Sequence, residues 1–252
     1  VGDKGVGKHE FLTGLPEAAL PNHDLQFKEK WIPRLATVAI DGHLINVQLW
    51  DTTGLGDFGT IVQSVSRGAH GVILVFDITN RWSWNAIKSY LREVDEFVPD
   101  TPRIIVGNRL HREFDRAVSR REVEEFASKR MLEYFEVSTL AHFNVDECLT
   151  QVARMARNRV AMQLNTKIPK NPETLESIAS RTIVRNIKSV HLIERLPLPY
   201  ALQRHLRSFA QGSQVASAAL PISQRSRKGI FYHVAPKVIR RSIISAQQRV
   251  KK

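Results

Sequence analysis

The sequence predicts an α/β fold: a doubly wound, mostly parallel sheet with its first strand truncated, then a small helical module and a basic disordered tail. Three observations carry this. Apolar runs of strand length alternate with helically periodic stretches through residues 1–164. A glycine loop, GDKGVGK (Gly2 to Lys8), has the G-x-x-x-x-G-K spacing that turns backbone amides toward phosphate oxygens. Charge is divided: residues 1–150 hold 17 Lys and Arg against 22 Asp and Glu, whereas residues 151–252 hold 20 against 3.

Taken in order, the glycine loop should follow a buried strand, so the piece before Val1 is expected to be missing and the sequence reads as a fragment at this end. The segment HLINVQLW (His43 to Trp50) alternates like a half-buried strand, with a hairpin turn at Asp41–Gly42 before it. GVILVFD (Gly71 to Asp77) and RIIVGN (Arg103 to Asn108) are unbroken apolar runs, as parallel strands covered on both faces require. Between them Ile87, Leu91 and Val94 mark a helix over Trp84 to Phe97 that must end before Pro99. Helices are further predicted from Arg120 to Arg130 and Val145 to Leu164, with a short strand at Glu133 to Ser138. A polar linker with two prolines (165–173) leads to a helical stretch from Thr174, the breaker LPLP, and a second helix. From Gln211 to Lys252 the chain is Ser-rich, basic and poor in large apolar residues, hence read as disordered.

Composition narrows the functions. The apolar runs are too short to cross a bilayer and no signal peptide is visible. The single Cys148 excludes an internal disulfide, fits a cytoplasmic chain and reads as a buried helix residue. The net charge of +12 lies in the second half, which faces an anionic partner: acidic lipid, nucleic acid or an acidic protein. Apart from FYH the tail has no interleaved aromatics, which argues against nucleic acid.

The motifs fall at strand ends, the edge where such sheets bind ligands. Gly2, Asp3, Lys4, Gly5, Val6, Gly7 and Lys8 form the loop, and Lys8 would reach the terminal phosphates. WDTTG places Asp51 where a magnesium-associated carboxylate belongs and Gly54 where a γ-phosphate sensor belongs. Asn108 and Arg109 end the strand where guanine is read, and Ser138 and Thr139 close the last strand. Together LWDTTG, SRGAHGVILVFDITN and GNRLH resemble a Rab-type small GTPase of the Ras superfamily, with its P-loop NTPase fold. NRWSW with GNRLH and EVS is most similar to the SOCS-box-containing subfamily, Rab forty-like, from Gly2 to about Phe209.

The resemblance implies GTP or GDP with magnesium, and the departures bear on both. His9 replaces the hydroxyl ligand of magnesium, an ion that prefers oxygen. No Thr stands near Lys28, where one should reach the metal, and Leu55 replaces the Gln that orients the attacking water. Lys4 crowds the phosphates, and His111 replaces the guanine-reading Asp. The expectation is a chain that holds nucleotide, with a weakened metal site and no catalytic residue at Leu55.

The order of the second module resembles a SOCS box (174–210). Leu175, Ala179 and Ile183 lie four apart on one helical face that would dock on elongin B/C, with Ala179 where Cys is usual. Leu196, Pro197, Leu198 and Pro199 would meet Cullin five, the prolines presetting an extended backbone. A core-facing helix is the competing reading of the same stripe. The subfamily ends in a prenylated cysteine motif and this sequence ends QQRVKK, so either this end too is cut or membrane contact rests on the basic tail. The implied function is substrate recognition in an elongin B/C–Cullin five ubiquitin ligase, in the cytoplasm with peripheral association to plasma membrane or vesicles. The alternative is a GTP-hydrolysing Rab switch in vesicle traffic.

Overall fold

The computed structural model describes residues 1–13, 33–52, 68–164 and 174–211. Strands β1 (Arg34–Ile40) and β2 (His43–Leu49) form an antiparallel hairpin in which Ile40 pairs with His43. Its turn needs two left-handed residues, which Asp41 (φ 50°) and Gly42 (φ 82°) supply. The turn was legible in the sequence and β1 was not, although β1 buries alternate residues Ala36, Val38 and Ile40.

A second sheet orders β3 (Val72–Asp77), β4 (Arg103–Asn108) and β5 (Glu133–Glu136) in parallel. Val1 and Gly2 lie along the other side of β3: Val75 N donates to Val1 O at 2.7 Å, and Gly2 pairs in parallel with Val75. The phosphate-type loop therefore leaves the carboxyl end of a strand position, as its spacing requires.

Both faces of this sheet are covered. Leu74, Phe76, Ile105 and Tyr134 join Trp84, Ile87, Leu91 and Val94 of α2 (Arg81–Phe97) and Val123 of α3 (Arg120–Lys129). Val75, Ile104, Val106 and Phe135 face the other way, toward Phe11 of α1 (Lys8–Thr13) and Leu149 and Val152 of α4 (Val145–Gln163). Each fully buried side chain of this kind contributes roughly 1.5–3 kcal/mol. Helix α2 begins earlier than its apolar spacing suggests, because the Asn80 side chain accepts from Trp82 N and Ser83 N and caps it.

Helices α5 (Leu175–Asn186) and α6 (Tyr200–Arg207), with a 3-10 turn at Val190–Arg195, complete the described chain. Val184, Val190, Ile193, Leu206 and Phe209 are buried in the same cluster as α4 and the hairpin. Polar bonds fix this packing. Arg154 of α4 donates to Ser208 O at 2.6 Å and Ala210 O at 2.7 Å. Ser208 in turn accepts from both turn residues, Asp41 N on its carbonyl and Gly42 N on its hydroxyl, each at 3.0 Å. The residues read as linker (165–173) and most of those read as tail lie outside the described residues.

Candidate nucleotide-binding site

The loop from Gly2 to Lys8 is shaped by glycine conformations. Gly5 (φ 78°) and Gly7 (φ 91°) adopt left-handed backbone, and a Cβ on Gly7 would lie 2.3 Å from Asn108 Nδ2. A Cβ on Gly5 would meet nothing within 4 Å, so the loop is open on that side. Lys8, at the start of α1, donates its Nζ to Gly2 O and Asp3 O, both at 2.7 Å. Burial lowers its pKa, opposed by Asp51, Asp3 and Glu10. A cation tied to loop carbonyls beside an open glycine backbone fits the phosphates of a nucleotide. Val6 is buried beneath the loop, whereas Asp3 Oδ1 accepts from Lys4 N at 2.8 Å on the exposed side.

Asn108 fastens three loops together. Its amide donates to Val6 O at 2.9 Å and Thr139 Oγ1 at 3.2 Å, while its oxygen accepts from Arg109 N and Thr139 N. Arg109, itself left-handed (φ 68°), donates to Gly5 O at 2.6 Å and pairs with Asp77 at 2.9 Å. His111 follows in a 3-10 turn (Leu110–Asp115), and its Nδ1 lies 2.8 Å from Ser138 Oγ. Burial, then Arg109 and Arg112, lower the pKa of His111. Structure thus brings Gly2 to Lys8, Asn108, Arg109, Ser138 and Thr139 to one sheet edge.

At the expected metal position His9 Nδ1 lies 3.5 Å from Asp51 Oδ2. These supply one imidazole nitrogen and one carboxylate, a poor donor set for an ion that prefers oxygen. Among the described residues no group of three or more His, Cys, Asp or Glu is placed to hold a metal. Gly54, Leu55 and the Lys28 region lie outside the described residues.

Two contacts that sequence reading missed join this edge to the C-terminal helices. His191 Nε2 donates to Asn144 Oδ1 at 2.7 Å and its ring stacks on Phe143 at 4.3 Å. Burial and then Arg207 bring its pKa down to about 4, so the imidazole is neutral. Arg207 also bridges Glu147 of α4 and Glu194. No local pattern announces a bond between positions this far apart in sequence.

The ligase-type stripe is elsewhere. Leu175 is 83% exposed, and Ala179 and Ile183 are exposed, while Ser180 and Val184 on the same helix are buried. In the LPLP segment, Leu196 and Leu198 pack against the core and Pro197 and Pro199 are exposed. Among the described residues no helix is long and apolar enough to cross a membrane.

A Ras family profile matches residues 1–158. Human Ras-related protein Rab-40B is 41% identical over 216 residues, covering 84% of this chain and 76% of that protein. Human Ras-related protein Rab-40A-like is 39% identical over 234 residues, covering 92% and 80%. GTP-binding protein YPT1 of Saccharomyces cerevisiae is 32% identical over 169 residues, covering 65% and 79%. The family match stops within α4, but an alignment that spans 92% of the chain necessarily runs through α5 and α6. On the family match over residues 1–158 and these identities, the chain with this glycine loop, Asn108 fastener and parallel sheet belongs to the Ras family and is a Rab-40-like small GTPase, a Rab-type GTP-binding protein.

Proposed function

We propose that this Rab-like protein selects targets for an elongin B/C–Cullin five ubiquitin ligase, with the SOCS-box-like segment 174–210 recruiting the ligase. The observation that carries this reading is the inverted face of α5. Leu175, Ala179 and Ile183 project into solvent, although a core helix would bury such a stripe. An exposed apolar stripe of this length suits a single groove on a partner. Pro197 and Pro199 are exposed on a bend, not the extended run their spacing suggests. Leu198 N donates to Leu196 O at 2.8 Å and Gln203 Nε2 to both leucine carbonyls at 3.1 Å. A segment held in this way supports a second contact that loses little entropy on docking.

Capture of elongin B and C by the purified chain tests it. Leu175→Ala should lose elongin and most cullin, whereas Pro197→Ala with Pro199→Ala should keep elongin and weaken Cullin five. Full elongin capture by Leu175→Ala would sink the proposal.

A second reading, a conventional hydrolysing switch, is favoured by the intact loop from Gly2 to Lys8. We infer slow hydrolysis, because Leu55 cannot orient water and the His9–Asp51 pair holds magnesium weakly. Single-turnover GTP hydrolysis separates the readings: Leu55→Gln with His9→Ser should raise the rate, and a wild-type rate equal to that of the double variant would favour the second.

A further inference from the structure

We propose that the base site of this chain does not select guanine over hypoxanthine or xanthine through the 2-amino group, because His111 offers that edge a donor. This rests on the nucleotide reading of the same site. Phosphates on the amides of Gly5 to Lys8 fix one end of the ligand, and the crevice runs along the carboxyl ends of the parallel strands. Arg109 and Asn108 cross to Gly5 and Val6, so the nucleoside passes them toward the loops after β4 and β5. Those two loops are tied to each other by His111 and Ser138, and under this proposal the base edge falls there.

The hydrogen-bond pattern fixes which nitrogen carries the proton. Ser138 is buried, and its oxygen accepts from Ala141 N at 3.1 Å. Its own proton needs an acceptor, and His111 Nδ1 at 2.8 Å is the one its contacts provide. Nδ1 therefore accepts and Nε2 bears the hydrogen. The ring is neutral, since burial beside Arg109 and Arg112 disfavours the cation. Asn108 has already committed its amide hydrogens to Val6 O and Thr139 Oγ1.

Guanine presents donors at N1 and at its 2-amino group, so a donor on the protein gains nothing from either. Hypoxanthine lacks the amino group, and xanthine carries an acceptor oxygen in its place. A carboxylate at this position would instead accept from both guanine donors and reject the other bases.

Competition of GTP, ITP and XTP against a fluorescent GDP analogue on the full chain tests this. The expected result is GTP and ITP within about threefold of each other, with XTP at least as strong. His111→Asp should restore a preference for GTP over ITP of roughly tenfold or more and weaken XTP. A wild-type preference for GTP over ITP of tenfold would overturn the inference while leaving nucleotide binding intact, even if the variant fails to fold. Absence of any analogue binding, with Lys8→Ala indistinguishable from wild type, would overturn the nucleotide reading and this inference with it.

Discussion

At Gly7 the loop passes Asn108 so closely that a methyl group would fall 2.3 Å from the amide nitrogen, in a backbone of φ 91° that L-residues avoid. At Gly5 the backbone is also left-handed but the added carbon would meet open space. The two glycines should therefore respond differently to the same substitution. Gly5→Ala is expected to cost only the backbone strain, about 1 kcal/mol, and to keep nucleotide binding within a few-fold. Gly7→Ala must also push Asn108 from Val6 O, and its fluorescent-nucleotide binding should fall below detection with a loss of about 2–3 kcal/mol in urea unfolding. Equal effects of the two would mean that Asn108 is not the fastener. This scale was the most legible one in the sequence, because a glycine loop and an Asn at a strand end are local patterns. His111 was visible as a substituted position, but its Ser138 partner, 27 positions away, depended on two loops meeting.

Among elements, α5 shows best what periodicity does and does not reveal. Four-residue spacing of Leu175, Ala179 and Ile183 gave one helical face, and the same spacing fits a core helix or a docking helix equally well. The fold removes only the core reading of that stripe, since it buries Val184 and Ser180 and leaves Leu175, Ala179 and Ile183 outward. Thr174 starts the helix with its hydroxyl accepting from Ser177 N at 3.1 Å, a cap the sequence could have announced. Thermal unfolding should separate the faces. Leu175→Ala should leave stability within about 0.5 kcal/mol of wild type, whereas Val184→Ala should cost about 2 kcal/mol from the lost burial and the cavity. A destabilised Leu175→Ala would return the stripe to the core. The hairpin shows the complementary lesson: its turn chemistry was readable at Asp41–Gly42, but β1 carries Thr37 and small alanines where a stronger alternation would have marked it.

For the whole molecule, the division that composition suggests is bridged by packing and by one buried cation. Arg154 places its guanidinium on the carbonyls of Ser208 and Ala210, with Gln151 Oε1 also accepting at 2.9 Å. Arg154→Met keeps the stem but leaves Ala210 O without its donor and Ser208 O with Asp41 N alone, and a loss of about 2–4 kcal/mol is expected. Amide exchange across α6 should accelerate more than exchange in β4, and unchanged protection of α6 would show that the clasp is dispensable. Lost acidity after Glu194 and the linker at 165–173 made the second half look separable; its buried Val184, Val190, Ile193, Leu206 and Phe209, spaced irregularly over short helices, gave no warning that they fill the first half's core. The bond from Gly42 N to the Ser208 hydroxyl spans 166 positions of chain. On a ribosome adding about 5–20 residues per second, the hairpin turn must wait roughly 10–30 s for the segment that completes it. During that interval the apolar surface destined for Leu206 and Phe209 is open to water, so the nascent chain is exposed to chaperone capture or mispairing until α6 emerges.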